Sequence, residues 1–428
     1  MIAENVETLP AAQPAPHASF FRQSGWLMIA NIAGGVLMWA VHFLAKRIGT
    51  SQYGLFITLL TAIMLVPAIP LQMVFAQQTA KALATGTERE LAGLIRFICL
   101  GLFAVWALFC VAVIAFQGAI LNFWGVADPK ALWITMPILL LTIWTPVFMG
   151  VLQGQQNFFW LGWSMMGSAV GRVSAAAIAV LALRGGAIGM MIGVLIGTVV
   201  GLGLGVWQTR KLWSLPPMAF AWMNVLRQVI PLLFGFLFVQ FLFTGDTLFV
   251  KHYFTGSDTG AYGSAGTLSR ALIWLVSPLA AVMFPRIVHS SAKSQETNIM
   301  GMVLVGTAVL ALCGAAGLAV LGPFVIKIVY GADFVPVAGP ILKWYAAAMV
   351  PLALANVLVN NLLARGKFAV VPLTLLLCAG YAGTLVYVNH AGHSLVAVLQ
   401  TLGLFNLLLF GVCAWFTWGG AKGESQPV

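Results

Sequence analysis

Residues 186–207 read GAIGMMIGVLIGTVVGLGLGVW, twenty-two positions without one charged side chain. A bilayer core of ~30 Å needs ~20 apolar residues per helix, so this segment is long enough to cross it. The apolar run is continuous, whereas strands of a membrane barrel alternate apolar and polar side chains with period two. Working outward, eleven further segments read the same way, at about 25–45, 54–75, 93–116, 132–152, 158–182, 229–250, 262–284, 299–321, 337–363, 369–389 and 394–418. The fold class is therefore an all-α polytopic membrane protein with about twelve transmembrane helices.

Composition requires the same solvent. Of 428 residues, 61% are apolar and 7% are charged, against about 25% charged in soluble domains. So few charges cannot cover a water-facing surface, and lipid takes water's place. The net charge of +11 would raise nucleic-acid binding in a soluble protein. Here basic residues hold loops in the cytoplasm and meet anionic membrane lipid, so no nucleic-acid partner is expected. Cys99, Cys110, Cys313, Cys378 and Cys413 lie inside apolar runs without metal spacing. They read as small buried hydrophobes.

The chain divides into five parts. Residues 1–24 form a tail with Pro10, Pro14 and Pro16 and lack the pattern of a signal peptide. Residues 25–207 hold six spans, 208–228 a polar linker, 229–418 six more spans, and 419–428 a second tail. The linker mixes Arg210, Lys211 and Arg227 with Trp213, Phe220 and Trp222, which suits an interfacial helix. With the N-terminus inside, twelve basic residues fall on inner ends and six on outer ones. The positive-inside rule then places both termini in the cytoplasm, although Lys46 and Arg47 oppose it locally.

The halves read as repeats. Lys46-Arg47 before Gly49-Thr50-Ser51-Gln52-Tyr53-Gly54 corresponds to Lys251-His252 before Gly256-Ser257-Asp258-Thr259-Gly260-Ala261-Tyr262. Gly150-Val151-Leu152-Gln153-Gly154-Gln155 corresponds to Leu362-Leu363-Ala364-Arg365-Gly366-Lys367, and Lys130 to Lys343. Six spans is an even number, so the repeat is parallel, about an axis along the membrane normal.

These residues carry a resemblance. Asn31 with the run into Leu44-Ala45-Lys46-Arg47-Ile48-Gly49, then Gln52-Tyr53-Gly54-Leu55-Phe56, Gly260-Ala261-Tyr262, Phe284-Pro285-Arg286 and Val329-Tyr330-Gly331-Ala332-Asp333-Phe334 stand in familiar order. Over residues 20–418 the chain resembles the polysaccharide-transport flippases of the multidrug/oligosaccharidyl-lipid/polysaccharide exporter superfamily. The resemblance implies two six-helix lobes around a central cavity with alternating access. It implies a bacterial inner-membrane location and an oligosaccharide repeat unit, linked through pyrophosphate to undecaprenol, as substrate. The products would be O-antigen, capsule or exopolysaccharide, with a polymerase and a chain-length regulator as possible partners. Twelve spans suit this branch better than the similar lipid II flippases, which carry two more.

A charge within a span is costly and marks a candidate site. Four stand out. Arg172 in the fifth span lies ~20 Å deep at 1.5 Å per residue, flanked by Gly167, Ser168, Gly171 and Ser174. It reads as an anion-contacting cavity residue, or as an Arg satisfied by backbone carbonyls or by snorkelling. Asp246 in the seventh span and Arg270 in the eighth reach similar depth. They read as a structural ion pair, or as a cation-coupling carboxylate with a separate cavity cation. Lys343 beside Trp344 and Tyr345 is either an interfacial anchor or a substrate contact. The amides Gln72, Gln240, Asn356, Asn360 and Asn361 suit sugar hydroxyls or interhelical bonds; Asn356 and Asn360 share a helix face.

No Gly-rich phosphate loop and no cluster with metal spacing appears, so neither an ATP-driven step nor a cofactor is expected. His289, His390 and His393 fall near loop ends. The sequence reads as a transporter rather than an enzyme. A cation-coupled drug antiporter of the same superfamily is the alternative, opposed by the absence of acidic residues within the first six spans. A membrane O-antigen ligase or polymerase is a second, opposed by the lack of an acidic site or large soluble loop.

Overall fold

The computed structural model describes residues 17–126, 128–220, 222–291, 299–364, 367–392 and 394–418. The C-terminal tail, residues 1–16 of the N-terminal one, and Lys293, Arg365, His393 and Lys422 lie outside these residues. The first lobe contains α1 (His17–Ala40), α2 (Ala45–Met64), α3 (Ala68–Thr85), α4 (Glu88–Ala115), the short α5 (Gln117–Phe123), α6 (Lys130–Gly154), α7 (Phe158–Ala177) and α8 (Gly186–Trp213). The second contains α9 (Trp222–Thr244), α10 (Asp246–Tyr253), α11 (Gly256–Ser291), α12 (Ile299–Val329), α13 (Val335–Ala364), α14 (Val370–Gly392) and α15 (Leu395–Trp418). The described residues contain no strand.

Ten helical stretches are long and apolar enough to cross a membrane. One of them, Gly25–Thr85, has 61 residues, ~90 Å of helix and hence two crossings. Its helix breaks at Gly49, whose φ of 79° and ψ of 170° are open essentially to glycine alone. The twelfth crossing is α11, which carries Arg270 among Gly, Ser and Thr and packs against α2, α12 and α13. With it the described residues hold about twelve crossings.

Three elements depart from the sequence reading. α1 begins at His17, inside the expected tail. The second span is broken at Leu65–Pro67, because Pro67 has no N–H to continue the ladder. The linker forms no helix of its own. Instead α8 continues through Arg210 and Lys211 to Trp213, and Pro216 and Pro217 keep the following residues out of helical geometry. Arg96 on α4 clamps this stretch, donating from Nε to Trp213 O (3.0 Å) and from Nη2 to Leu215 O (2.9 Å). Met218 N donates to Arg89 O at 3.1 Å.

Helix packing in lipid depends on close backbone approach. On α8, Gly189, Gly193, Gly197, Gly201 and Gly205 recur every fourth residue, forming one ridge. A Cβ at Gly197 would stand 2.7 Å from Arg172 Cβ, and one at Gly201 2.8 Å from Ser168 Cβ. Only glycine lets α7 lie this close.

The lobes meet tightly at the face opposite the linker. There α2 lies on α11, with Gly54 against the Gly256 carbonyl and Gly260 against the Thr50 carbonyl. Tyr53 stacks edge-on to Tyr330 (5.4 Å between centroids) and Phe334 (5.6 Å), and its hydroxyl bonds His42 Nδ1 at 2.8 Å. Gln52 caps the start of α8 by accepting from Ala187 N at 3.1 Å. His252 on α10 stacks on Phe123 of α5 at 3.8 Å.

Candidate functional site

Below this sealed face lies a cavity of about 510 Å³, walled by α1, α3, α6, α7 and α8, with Trp274 of α11 reaching in from the second lobe. Its polar lining consists of amides and hydroxyls: Asn31, Gln72, Thr145, Gln153, Ser164, Ser168 and Thr198. Gln72 Nε2 donates to Gln153 Oε1 at 3.0 Å across the α3–α6 wall. The Ser164 hydroxyl is buried without a protein partner, which costs free energy unless a guest or water satisfies it. None of the lining residues is charged. Such a surface suits a neutral polyhydroxylated guest.

Arg172 stands one helical turn from Ser168, between the cavity and the sealed face. It is not among the lining residues. Its Cβ rests on Gly197, and its guanidinium acts electrostatically on His42 and is acted on by Tyr53. Nε is buried with no bonding partner. No carboxylate among the described residues pairs with it; their ion pair is elsewhere.

That pair is Asp246 with Arg270, 2.8 Å apart in the second lobe. The break at Gly245 starts α10 with Asp246 in its first turn, where helix N–H groups favour an anion. Oδ2 of Asp246 also accepts from Tyr262 OH at 2.6 Å and Tyr345 OH at 2.5 Å. Arg270 donates further to Phe243 O (2.9 Å) and Thr247 Oγ1 (3.0 Å), and lies over the rings of Phe243 and Tyr345. Gly266 makes room for the Tyr345 hydroxyl, 2.8 Å from where its Cβ would be. Asp246 is fully buried and its oxygens are already engaged by three donors.

The remaining candidates scatter. Lys343 is exposed beside exposed Trp344, on the side of α13 away from buried Tyr345. Asn360 Nδ2 donates to Asn356 O (2.7 Å) and Oδ1 (3.1 Å), so these two amides bond one another along their helix. Asn361 is buried and Gln240 half-buried. Only Gln72 of the earlier candidates lines the cavity. The residues missed were Asn31, Thr145, Gln153, Ser164, Ser168 and Thr198, and the tyrosines at Asp246. The chain has seven tyrosines, and five are fully buried. A hydroxyl buried in a membrane bundle calls for a partner, and that was the available signal.

The family model described as the lipid II flippase MurJ matches residues 130–415. The chain belongs to this family. MurJ-family membership makes it a transporter and not an enzyme, and a multi-pass protein of the inner membrane. It also establishes the exporter superfamily read from the motifs. No curated protein matches the chain in sequence. Among solved structures, lipid II flippase MurJ in an inward closed conformation is 15% identical, with a TM-score of 0.65 over 93% of this chain and 87% of that one. An inward-facing multidrug resistance MATE transporter of the MOP superfamily is 13% identical, with a TM-score of 0.66 over 90% and 94%. The Vibrio cholerae MATE transporter VcmN, as a point mutant, is 14% identical, with a TM-score of 0.62 over 96% and 99%. At these identities the likeness concerns the fold.

Proposed function

We propose that the protein flips undecaprenyl-pyrophosphate-linked oligosaccharide repeat units from the inner to the outer leaflet by alternating access, supplying polysaccharide synthesis. The observation that carries this reading is the uncharged cavity of amides and hydroxyls walled by five helices of the first lobe, with Trp274 of the second reaching in. Sugar hydroxyls need such partners when they leave water. Arg172, one turn beyond, offers the fork geometry that suits phosphate oxygens. The linker face is the cytoplasmic one, with both termini inside, and the face sealed by Gly54 and Gly260 is periplasmic. Reporter fusions after Arg210 and at Val428 give cytoplasmic signals; a periplasmic signal at either reverses the assignment.

Deletion tests the function directly. Undecaprenyl-linked glycan accumulates on the inner face, surface polysaccharide is lost, and growth continues. A second reading, lipid II as the cargo, is favoured by the family model over residues 130–415. Under that reading depletion stops wall synthesis and the cells lyse. Cation-coupled drug export receives less support. It needs a carboxylate free to exchange its cation, whereas Asp246 is bonded to Arg270, Tyr262 and Tyr345.

A further inference from the structure

Among the described residues lining the polar cavity, Trp274 alone comes from the second lobe. It is 56% exposed, so much of a flat apolar ring faces a space that also presents amides and hydroxyls. The Ser164 hydroxyl there has no protein partner. The bond from Gln72 Nε2 to Gln153 Oε1 leaves the Gln72 carbonyl and the Gln153 amino group for a guest. The volume of about 510 Å³ is within the ~300–1,000 Å³ typical of small-ligand sites.

These features select among guests. A hydrocarbon chain would cover the indole but leave the hydroxyl and the amides unpaired, which costs free energy. An aromatic cation would also lie on the indole, but no carboxylate stands among the described lining residues to meet its charge. A pyranose ring satisfies both demands. Its ring C–H groups form a flat apolar face, and its hydroxyls radiate from the rim.

The indole stands on a braced helix. Arg270, one turn earlier on α11, is bonded to Asp246, Phe243 O and Thr247. Leu272 packs on α12 where Gly314 leaves room for it, 2.5 Å from where a Cβ would stand. A platform held on both sides has little freedom to lose when a guest arrives, which favours binding.

We infer that Trp274 is the stacking platform for a pyranose ring of the cargo, with the ring's hydroxyls bonded to the amides and hydroxyls of the first lobe; this rests on the lipid-linked oligosaccharide reading above. The sugar then touches both lobes at once. A carrier lipid without sugar lacks that contact, so Trp274 distinguishes the loaded carrier from the bare one.

The test uses the full-length protein in nanodiscs. The probes are undecaprenyl pyrophosphate and the same lipid carrying a disaccharide of glucose or of N-acetylglucosamine. The wild type binds at least one sugar-bearing probe about tenfold tighter than the bare lipid, a difference of about 1.4 kcal/mol. Trp274→Leu keeps an apolar side chain without a ring face and brings the two affinities within about twofold. Trp274→Phe keeps a ring face and retains a preference of at least about threefold. Affinity for the bare lipid is the same in all three proteins. A wild-type preference that persists in folded Trp274→Leu overturns the inference. Equal loss in the Phe and Leu variants also overturns it, as does parallel weakening of bare and sugar-bearing probes. Equal wild-type affinity for all probes overturns it as well. A wild type that binds none of them refutes the lipid-linked reading itself.

Discussion

Replacing Asp246 by Ala would leave three donors without their acceptor: Arg270 Nη2 and the hydroxyls of Tyr262 and Tyr345. Breaking a buried ion pair by removing one partner costs about 3–5 kcal/mol. Each stranded hydroxyl adds about 1–3 kcal/mol, less than additively. A loss of about 4 kcal/mol is a conservative expectation. In a cooperative unit the size of the second lobe it lowers Tm by roughly 8–16 °C. Arg270→Gln is milder, about 2–3 kcal/mol, because Asp246 keeps its bonds from Tyr262 and Tyr345, whereas the Asp246 variant leaves a buried guanidinium with no counter-charge. Asp246→Asn combined with Arg270→Gln recovers at least half of the loss, since neither amide leaves an unpaired charge. The assay is thermal unfolding of the purified protein, followed by tryptophan fluorescence, with monodisperse yield as a second readout. The reasoning is refuted if the losses of the Asp246→Asn and Arg270→Gln single variants add to within about 0.5 kcal/mol in the double variant, the behaviour of independent sites. Unchanged Tm in both single variants with transport lost would instead assign the pair to function.

Three further outcomes are expected. Arg172→Gln abolishes glycan export at near-normal abundance and Arg172→Lys keeps part of it, measured as surface polysaccharide per unit of membrane protein; full export by the Gln variant sinks the role. Gly260→Val drives a side chain into the Thr50 carbonyl, so the sealed face cannot close: transport stops and a cysteine at Thr259, fully buried in this contact, gains reactivity toward an impermeant maleimide added outside. Gly197→Leu overpacks the α7–α8 contact and costs about 1–3 kcal/mol or more, visible as reduced folded yield; a normal yield would show that α7 can shift away freely.

The crossings were legible because hydrophobicity alone determines them; the breaks and the rotations about each axis were not. The run at 186–207 shows both sides. Its length gives a span at once, yet the four-residue glycine spacing that fixes α7 on α8 lies in the same letters. The depth of Lys343 was readable, but its direction was not. Two residues along a helix turn ~200°, so Tyr345 points into the lobe while Lys343 and Trp344 point out. The Asp246–Arg270 proximity followed from depth on neighbouring spans. The Tyr345 contribution did not, because it arrives from 99 residues away. The cavity lining was least legible of all. Ser164, Ser168, Thr145 and Thr198 are unremarkable in any membrane helix, where such hydroxyls commonly bond their own backbone, as Thr145 and Thr198 do here. Only the convergence of five helices brings them onto one cavity.

The clamp on the linker has a mechanical consequence. Arg96 holds Trp213 and Leu215, and Phe97 packs on Phe220 and Trp222 at 5.7 and 5.9 Å between centroids. The peptide between the lobes is therefore cargo of the first lobe, not a slack tether. Any rotation of one half against the other would then fall on the α9–α10 rod, at Pro231 and at the junction after Gly245, where a helix bends most readily. A rod that flexes at two fixed joints prescribes an axis. Under the alternating-access proposal that axis would set a single path, and lengthening the linker by a few residues would leave it unaltered.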